Sequence, residues 1–118
     1  MFVGFFGGNK GTIQNVTVKN SYIRGDKYVG GIVGSSSGTV KNCHNEAAVF
    51  ANELVGGVVG YNSSGSIQNS ANHGAVTGGS NVGGVAGVNY SGKLQDCYNA
   101  GTVTGTSENI GGVLGALT

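Results

Sequence analysis

The chain contains no proline and little charge: proline is missing from all 118 residues, and only 9% of them are charged. Because proline removes a backbone donor, its absence fits continuous strand pairing. No stretch approaches the roughly 20 apolar residues of a membrane-spanning helix, so we expect no membrane insertion. The N-terminus has no basic region followed by an uninterrupted apolar core, and we recognise no signal peptide. A net charge of +1 gives no case for nucleic acid as a partner.

Glycine is abundant, with 25 residues, and much of it lies in a recurring phrase of glycines and aliphatic residues. The phrase occurs as Val29-Gly30-Gly31-Ile32-Val33-Gly34, Val55-Gly56-Gly57-Val58-Val59-Gly60, Val82-Gly83-Gly84-Val85-Ala86-Gly87 and Ile110-Gly111-Gly112-Val113-Leu114-Gly115, with a degenerate first copy, Phe2-Val3-Gly4-Phe5-Phe6-Gly7. A fixed period of this length indicates stacked repeats. We therefore predict one domain, 1–118, with repeats 2–28, 29–54, 55–81 and 82–109 and a partial repeat 110–118.

Two further short segments recur in each copy. One is centred on an aliphatic residue that follows a glycine, as in Gly65-Ser66-Ile67-Gln68-Asn69, and the other resembles Gly101-Thr102-Val103-Thr104-Gly105. Three short strands per copy, joined by turns at which glycine adopts positive φ, make one turn of a coil. The predicted fold is all-β: a parallel β-helix, or β-solenoid, of about four coils of about 27 residues, right-handed by the rule for parallel crossovers.

Equivalent residues of successive coils should then form rows along the axis, about 4.8 Å apart. The predicted interior rows are Ile13, Val40, Ile67 and Leu94; Val49, Val76 and Val103, with Tyr22 or Ile23; and Val29, Val55, Val82 and Ile110. Two polar rows are Asn15, Asn42, Asn69 and Asp96, and Asn45, Asn72 and Asn99. Stacked asparagines bond from coil to coil and tolerate left-handed backbone, so these rows are interpreted as structural.

The glycine phrase leaves one ambiguity, because its first and fourth apolar positions have opposite parity in a straight strand. If the strand bends at a glycine, both positions point inward, and we favour this alternative. If it stays straight, the fourth positions form an exposed apolar ridge, a candidate contact surface. That ridge would comprise Phe5, Ile32, Val58, Val85 and Val113.

The two cysteines, Cys43 and Cys97, share one row with Ser70 between them. Two coil spacings put their Cα atoms roughly 9.6 Å apart, whereas a disulfide needs about 4.4–6.8 Å. We therefore predict two unpaired thiols that fill interior space. No second pair of ligands lies at zinc-finger spacing, and no metal or cofactor is expected.

Catalysis requires different functional groups close together, and no predicted row combines such groups. The five acidic residues share no column, and His44 and His73 are expected at exposed corners without a nucleophile beside them. The glycine phrases lack the following helix of a nucleotide loop. We predict that the chain is not an enzyme. Tyr61, Tyr90 and Tyr98, on or near loops, are candidate contacts for a protein or glycan, with packing as the alternative.

The whole chain resembles the GLUG repeat family. The fourth copy carries the resemblance best, with its glycine phrase, then Gly92-Lys93-Leu94-Gln95-Asp96-Cys97-Tyr98-Asn99, then the Thr-Val-Thr segment. Asp96 replaces the usual asparagine, and the first copy departs most. The resemblance implies a segment of a bacterial cell-surface or secreted, adhesin-like protein, hence an extracellular location, and it brings no catalytic residues.

Three functions stay open. The first is a structural or adhesive segment that contacts a host or surface protein or glycan. The second is a unit that stacks end to end into a fibre or oligomer, because open coil ends present unpaired backbone. The charge distribution fits head-to-tail stacking, because the first copy carries a net charge of +3 and the rest of the chain −2. Chance placement also explains this asymmetry. The third is a fragment of a glycan-active β-helix enzyme.

Overall fold

The computed structural model describes residues 3–107 and 109–117, without the side chain of the last of these. The strands in chain order are β1 (Phe6–Asn9), β2 (Thr12–Gln14), β3 (Thr17–Val18), β4 (Tyr22–Arg24), β5 (Val29–Gly30), β6 (Val33–Ser36), β7 (Thr39–Lys41), β8 (His44–Asn45), β9 (Ala48–Phe50), β10 (Glu53–Gly56), β11 (Val59–Asn62), β12 (Ser66–Gln68), β13 (Ala71–Asn72), β14 (Val76–Gly78), β15 (Ser80–Gly83), β16 (Ala86–Asn89), β17 (Lys93–Gln95), β18 (Tyr98–Asn99), β19 (Val103–Gly105), β20 (Ile110–Gly111) and β21 (Leu114–Leu117).

Every strand pairs in parallel with its counterpart one coil away, which confirms the all-β, parallel β-solenoid. The sheets are sheet A (β1-β6-β11-β16-β21), sheet B (β2-β7-β12-β17), sheet C (β3-β8-β13-β18), sheet D (β4-β9-β14-β19) and sheet E (β5-β10-β15-β20). Five short strands per coil replace the predicted three. The glycine phrase contributes to two sheets, E and A, and the segment after it is divided between sheets B and C.

The turn between sheets B and C explains one of these extra strands. Asn15, Asn42, Asn69 and Asp96 form a single row at this turn, with φ between 48° and 59°. A left-handed residue turns the chain at a corner, so one predicted strand becomes two. A second row of positive φ, between 50° and 60°, lies at the start of sheet E, directly before strands β5 and β20 and inside strands β10 and β15. It consists of Tyr28, Leu54, Asn81 and Asn109.

The expectation that glycine supplies positive φ at the corners is wrong, because none of the glycines in the described residues adopts it. The glycines are needed for close approach instead. A Cβ on Gly57 would overlap the carbonyl oxygen of Gly84 in the next coil and the side chain of Asn72. Glycine therefore sets how tightly neighbouring coils pack.

The interior forms two apolar clusters, and the glycine phrase supplies both. Val29, Val55 and Val82 are fully buried in a smaller cluster with the valines of sheet D. The fourth and fifth residues of the phrase, such as Ile32 and Val33, are fully buried in a larger cluster. The phrase therefore bends, as we favoured.

Register confirms the predicted interior rows and decides the alternative left open in the first coil, but Ile110, in register with Val82, is 40% exposed on the last coil instead of interior. Ile23 pairs with Val49 and takes the interior position, whereas Tyr22 is 62% exposed. Phe2, which the alignment placed opposite Val29, lies outside the described residues; Val3 bridges to Val29, and Phe6 pairs with Val33 as aligned. The first glycine phrase is therefore one residue shorter than the others.

Candidate functional site

Three rows of polar side chains run side by side along the axis, at the turn after sheet A and on the outer face of sheet B. We call this surface the polar face. Its rows are Lys10, Ser37, Ser63 and Tyr90; Thr12, Thr39, Ser66 and Lys93; and Gln14, Lys41, Gln68 and Gln95. Outward alternation about the buried Ile13 row produces the second and third rows. The rows could have been found by aligning the residues that flank that row.

Two open depressions cross the polar face and share Ser37. The larger, of about 470 Å³, is lined by hydroxyls and amides such as Ser66, Gln68 and Gln95, together with Lys93. The smaller, of about 340 Å³, lies beside it toward the first coil and is lined by Lys10. Together they form a shallow polar groove that extends from the first coil to the fourth.

The groove is electropositive. Lys10, Lys41 and Lys93 lie on the polar face, and none of the three forms an ion pair with a described residue. The described ion pair joins Lys27 and Glu53 elsewhere, with 3.8 Å between Nζ and Oε1. The residues that line the two depressions include no aspartate or glutamate within the described part of the chain.

Asparagines on sheet C hold the neighbouring coils in register. In the row on sheet C, Asn45 Nδ2 donates to Asn72 Oδ1 at 2.8 Å, and Asn72 Nδ2 donates to Asn99 Oδ1 at 2.8 Å. Each amide also bonds the backbone two residues later, as Asn72 does with Gly74. The predicted coil-to-coil bonding is therefore confirmed for this row, while the other polar row supplies the left-handed corners.

A second asparagine row lies at the end of sheet A, directly before the polar face. Asn62 Nδ2 donates to Asn89 Oδ1 at 2.7 Å, and Asn9 Nδ2 donates to Ser36 Oγ at 3.3 Å. Ser36 pairs with Asn62 but has no amide to donate to it. As a result, Asn62 Oδ1 is buried without a hydrogen-bond partner.

The exposed apolar ridge that the straight-strand alternative predicted does not exist. Ile32, Val58 and Val85 are fully buried because the phrase bends at its glycines. The two terminal members differ: Phe5 is 65% exposed and Val113 39% exposed, since no coil of this chain covers them. They contribute to the two ends of the solenoid and to no lateral contact surface.

The three candidate tyrosines do not form one site. Tyr61 is half-buried and packs edge-to-face with Tyr28, with 5.6 Å between ring centroids. Tyr98 is about half exposed on sheet C and contacts the ring of His73. Tyr90, 52% exposed, ends the first row of the polar face and is the one tyrosine placed beside the groove.

Both cysteines are free, as predicted. Burial raises the pKa of the Cys43 thiol, and backbone hydrogen bonds offset that rise only in part. Burial likewise raises the pKa of Cys97, with a smaller contribution from Asp96. Ser70, between them, accepts a hydrogen bond from the Cys43 backbone N–H at 3.2 Å. The row of Cys43, Ser70 and Cys97 therefore contributes packing and hydrogen bonds. The raised pKa values make both thiols weak nucleophiles at neutral pH.

Groups suited to catalysis or metal binding are scattered. His44 lies half-buried on strand β8, not at a corner, and its ring stacks 6.3 Å from that of the exposed His73. Across the described residues, no three histidine, cysteine, aspartate or glutamate side chains come together as a metal site. The same residues hold no helix long and apolar enough to span a membrane.

Stacked parallel coils with in-register rows define a β-solenoid repeat protein. The family model of the GLUG motif matches residues 25–49, 51–77 and 78–104. These matches cover more than half of the chain, which therefore belongs to the GLUG repeat family. No curated protein and no solved structure matches it.

Proposed function

We propose that this chain is a non-catalytic structural and adhesive segment of a bacterial surface or secreted protein. The observation that carries the proposal is the unbroken row structure of a GLUG-family solenoid, which presents polar side chains in register at every coil. Such an array suits repeated weak contacts along an extended partner.

The location is tested with an antibody raised against the purified chain. We expect it to label intact cells of the source bacterium, or to detect the antigen in the culture medium. Labelling that requires permeabilised cells would contradict the proposal. Incubation with polysaccharides should release no reducing ends; a steady release would favour the alternative of a glycan-active enzyme fragment.

Self-association is a second candidate, and exposure at the two ends of the solenoid favours it. Phe5 and Phe6 are 65% and 37% exposed on the first coil, and Ile110 and Val113 are 40% and 39% exposed on the last. Their counterparts in the middle coils are fully buried. Stacking a second copy head to tail would repeat the parallel pairing that already joins neighbouring coils.

Sedimentation velocity over a range of concentrations tests this stacking. The chain should form dimers and longer species as its concentration rises, and Val113→Lys should shift it toward monomer. The matched control is Thr104→Lys, which adds a lysine at an exposed position on the outer face of sheet D. Val88→Lys would not serve, because Val88 is buried. A strictly monomeric wild-type chain would remove this second function.

A further inference from the structure

We infer that the polar face binds an extended acidic polysaccharide, a glycan chain that carries carboxylates, laid along the solenoid axis. The inference rests on the proposed adhesive role and names its ligand class. The site is the groove across sheet B and the turn before it. Lys10 and Lys93 line the groove, and Lys41 lies beside it, in register with the lining residue Gln68.

Charge complementarity is the first argument. The three ammonium groups occupy one face without an ion-pair partner among the described residues, and no carboxylate of those residues lines the groove. The nearest carboxylate along the chain is Asp96, at the corner after Gln95. An anionic ligand therefore gains three charge-assisted contacts and meets one acidic group at the edge.

Spacing is the second argument. The three lysines belong to the first, second and fourth coils, so they span three coil spacings, roughly 14 Å along the axis. A linear chain of uronic acids carries one carboxylate on each sugar, and a pyranose ring spans about as far as one coil. Four sugars would thus follow the groove with a carboxylate available at each coil.

The neutral groups are the third argument, and they favour a glycan over a nucleic acid. The larger depression is lined mainly by hydroxyl and amide side chains, and the Gln95 side chain makes no hydrogen bond to a described residue. Such groups pair with sugar hydroxyls, and the half-exposed ring of Tyr90 offers an apolar surface to a sugar face. Three cations among so many neutral groups are few for a phosphate backbone.

The test is titration of the ¹⁵N-labelled chain with tetragalacturonic acid, followed by NMR, at low and at physiological salt. We expect shifts confined to the polar face and binding that weakens as salt is added. Lys93→Gln and Lys41→Gln should each weaken binding about two- to fivefold, and the double variant about tenfold. Lys19→Gln is the matched control, since it removes one exposed cation away from the groove.

Several results would overturn the inference. Equal binding of a neutral tetrasaccharide, tighter binding of an oligothymidylate, or the same loss in Lys19→Gln as in Lys93→Gln would each do so. No shift at any ligand concentration would also reject it. Such a failure stays distinct from failure of the proposed surface role, because antibody labelling of intact cells does not depend on any glycan.

Discussion

Alanine in place of glycine should have opposite effects at two equivalent positions of the glycine phrase. Gly57 and Gly112 occupy the same place in the third and last coils. A Cβ on Gly57 would overlap the carbonyl oxygen of Gly84, whereas a Cβ on Gly112 meets nothing within 4 Å. Neither residue has positive φ, so backbone strain does not separate them.

The magnitude follows from what must move at Gly57. Making room for the methyl group separates two coils, which weakens the hydrogen bond from the Gly57 N–H to the Gly84 carbonyl at 3.0 Å. It also displaces the Asn72 amide, which is hydrogen-bonded to asparagines of the coils on either side. At about 1 kcal/mol for each hydrogen bond, we expect a loss of at least about 3 kcal/mol. Gly112→Ala instead restricts only the unfolded chain and should gain about 0.4–1 kcal/mol.

Urea unfolding followed by circular dichroism measures both free energies of unfolding. Gly11→Ala is a further control, because a Cβ there also meets nothing within 4 Å. The reasoning would be refuted if Gly57→Ala and Gly112→Ala changed stability by the same amount. If Gly57→Ala fails to fold, Gly84→Ala in the next coil, crowded by Gly112 and Asn99, repeats the comparison.

Four further predictions use the same unfolding measurement. Asn72→Ala should cost about 2–4 kcal/mol, because its buried amide makes four hydrogen bonds; a loss below about 1 kcal/mol would contradict the ladder. Ser36→Asn should gain about 1 kcal/mol by donating to the orphaned oxygen of Asn62, and Ser36→Ala should not. Leu54→Asn should gain about 1 kcal/mol, because asparagine tolerates φ 50° better than leucine; a loss would show that Leu54 packing outweighs strain. Burial raises the thiol pKa of Cys43 in the folded chain above its ordinary value of 9.0. The free energy of unfolding should therefore not depend on this thiol below pH 9.0 and should fall as the pH rises above it, because the thiol of the unfolded chain ionises first. Cys43→Ser should make that fall smaller.

Much of the fold was predictable because a repeat converts sequence period into spatial register. Once copies align, the rows through Val40 and Asn72 follow without knowing any coordinates. The misaligned first copy shows the limit of this reasoning. Val3 and Phe2 are both apolar, so the sequence pattern does not separate them, and only the structure shows that Val3 bridges to Val29.

The candidate site was harder to predict than the core. Apolar rows are recognisable in a sequence because burial requires them at a fixed interval. The polar face consists largely of serine, threonine and glutamine, which are common on any protein surface. The three lysines lie at different places in their copies, so no single column reveals them. Their common face emerges only when the turn after sheet A and the strands of sheet B are placed side by side.

The sequence by itself determined the period, the parallel stacking, the interior rows and the separation of the cysteines, because each depends on which residues recur at a fixed interval. Tertiary structure alone decided three things: the bend that buries Ile32, the five strands in each coil, and the role of glycine as a spacer between coils. The physical reason is that these depend on contacts between backbones of adjacent coils, and a one-dimensional pattern of side chains does not encode those distances.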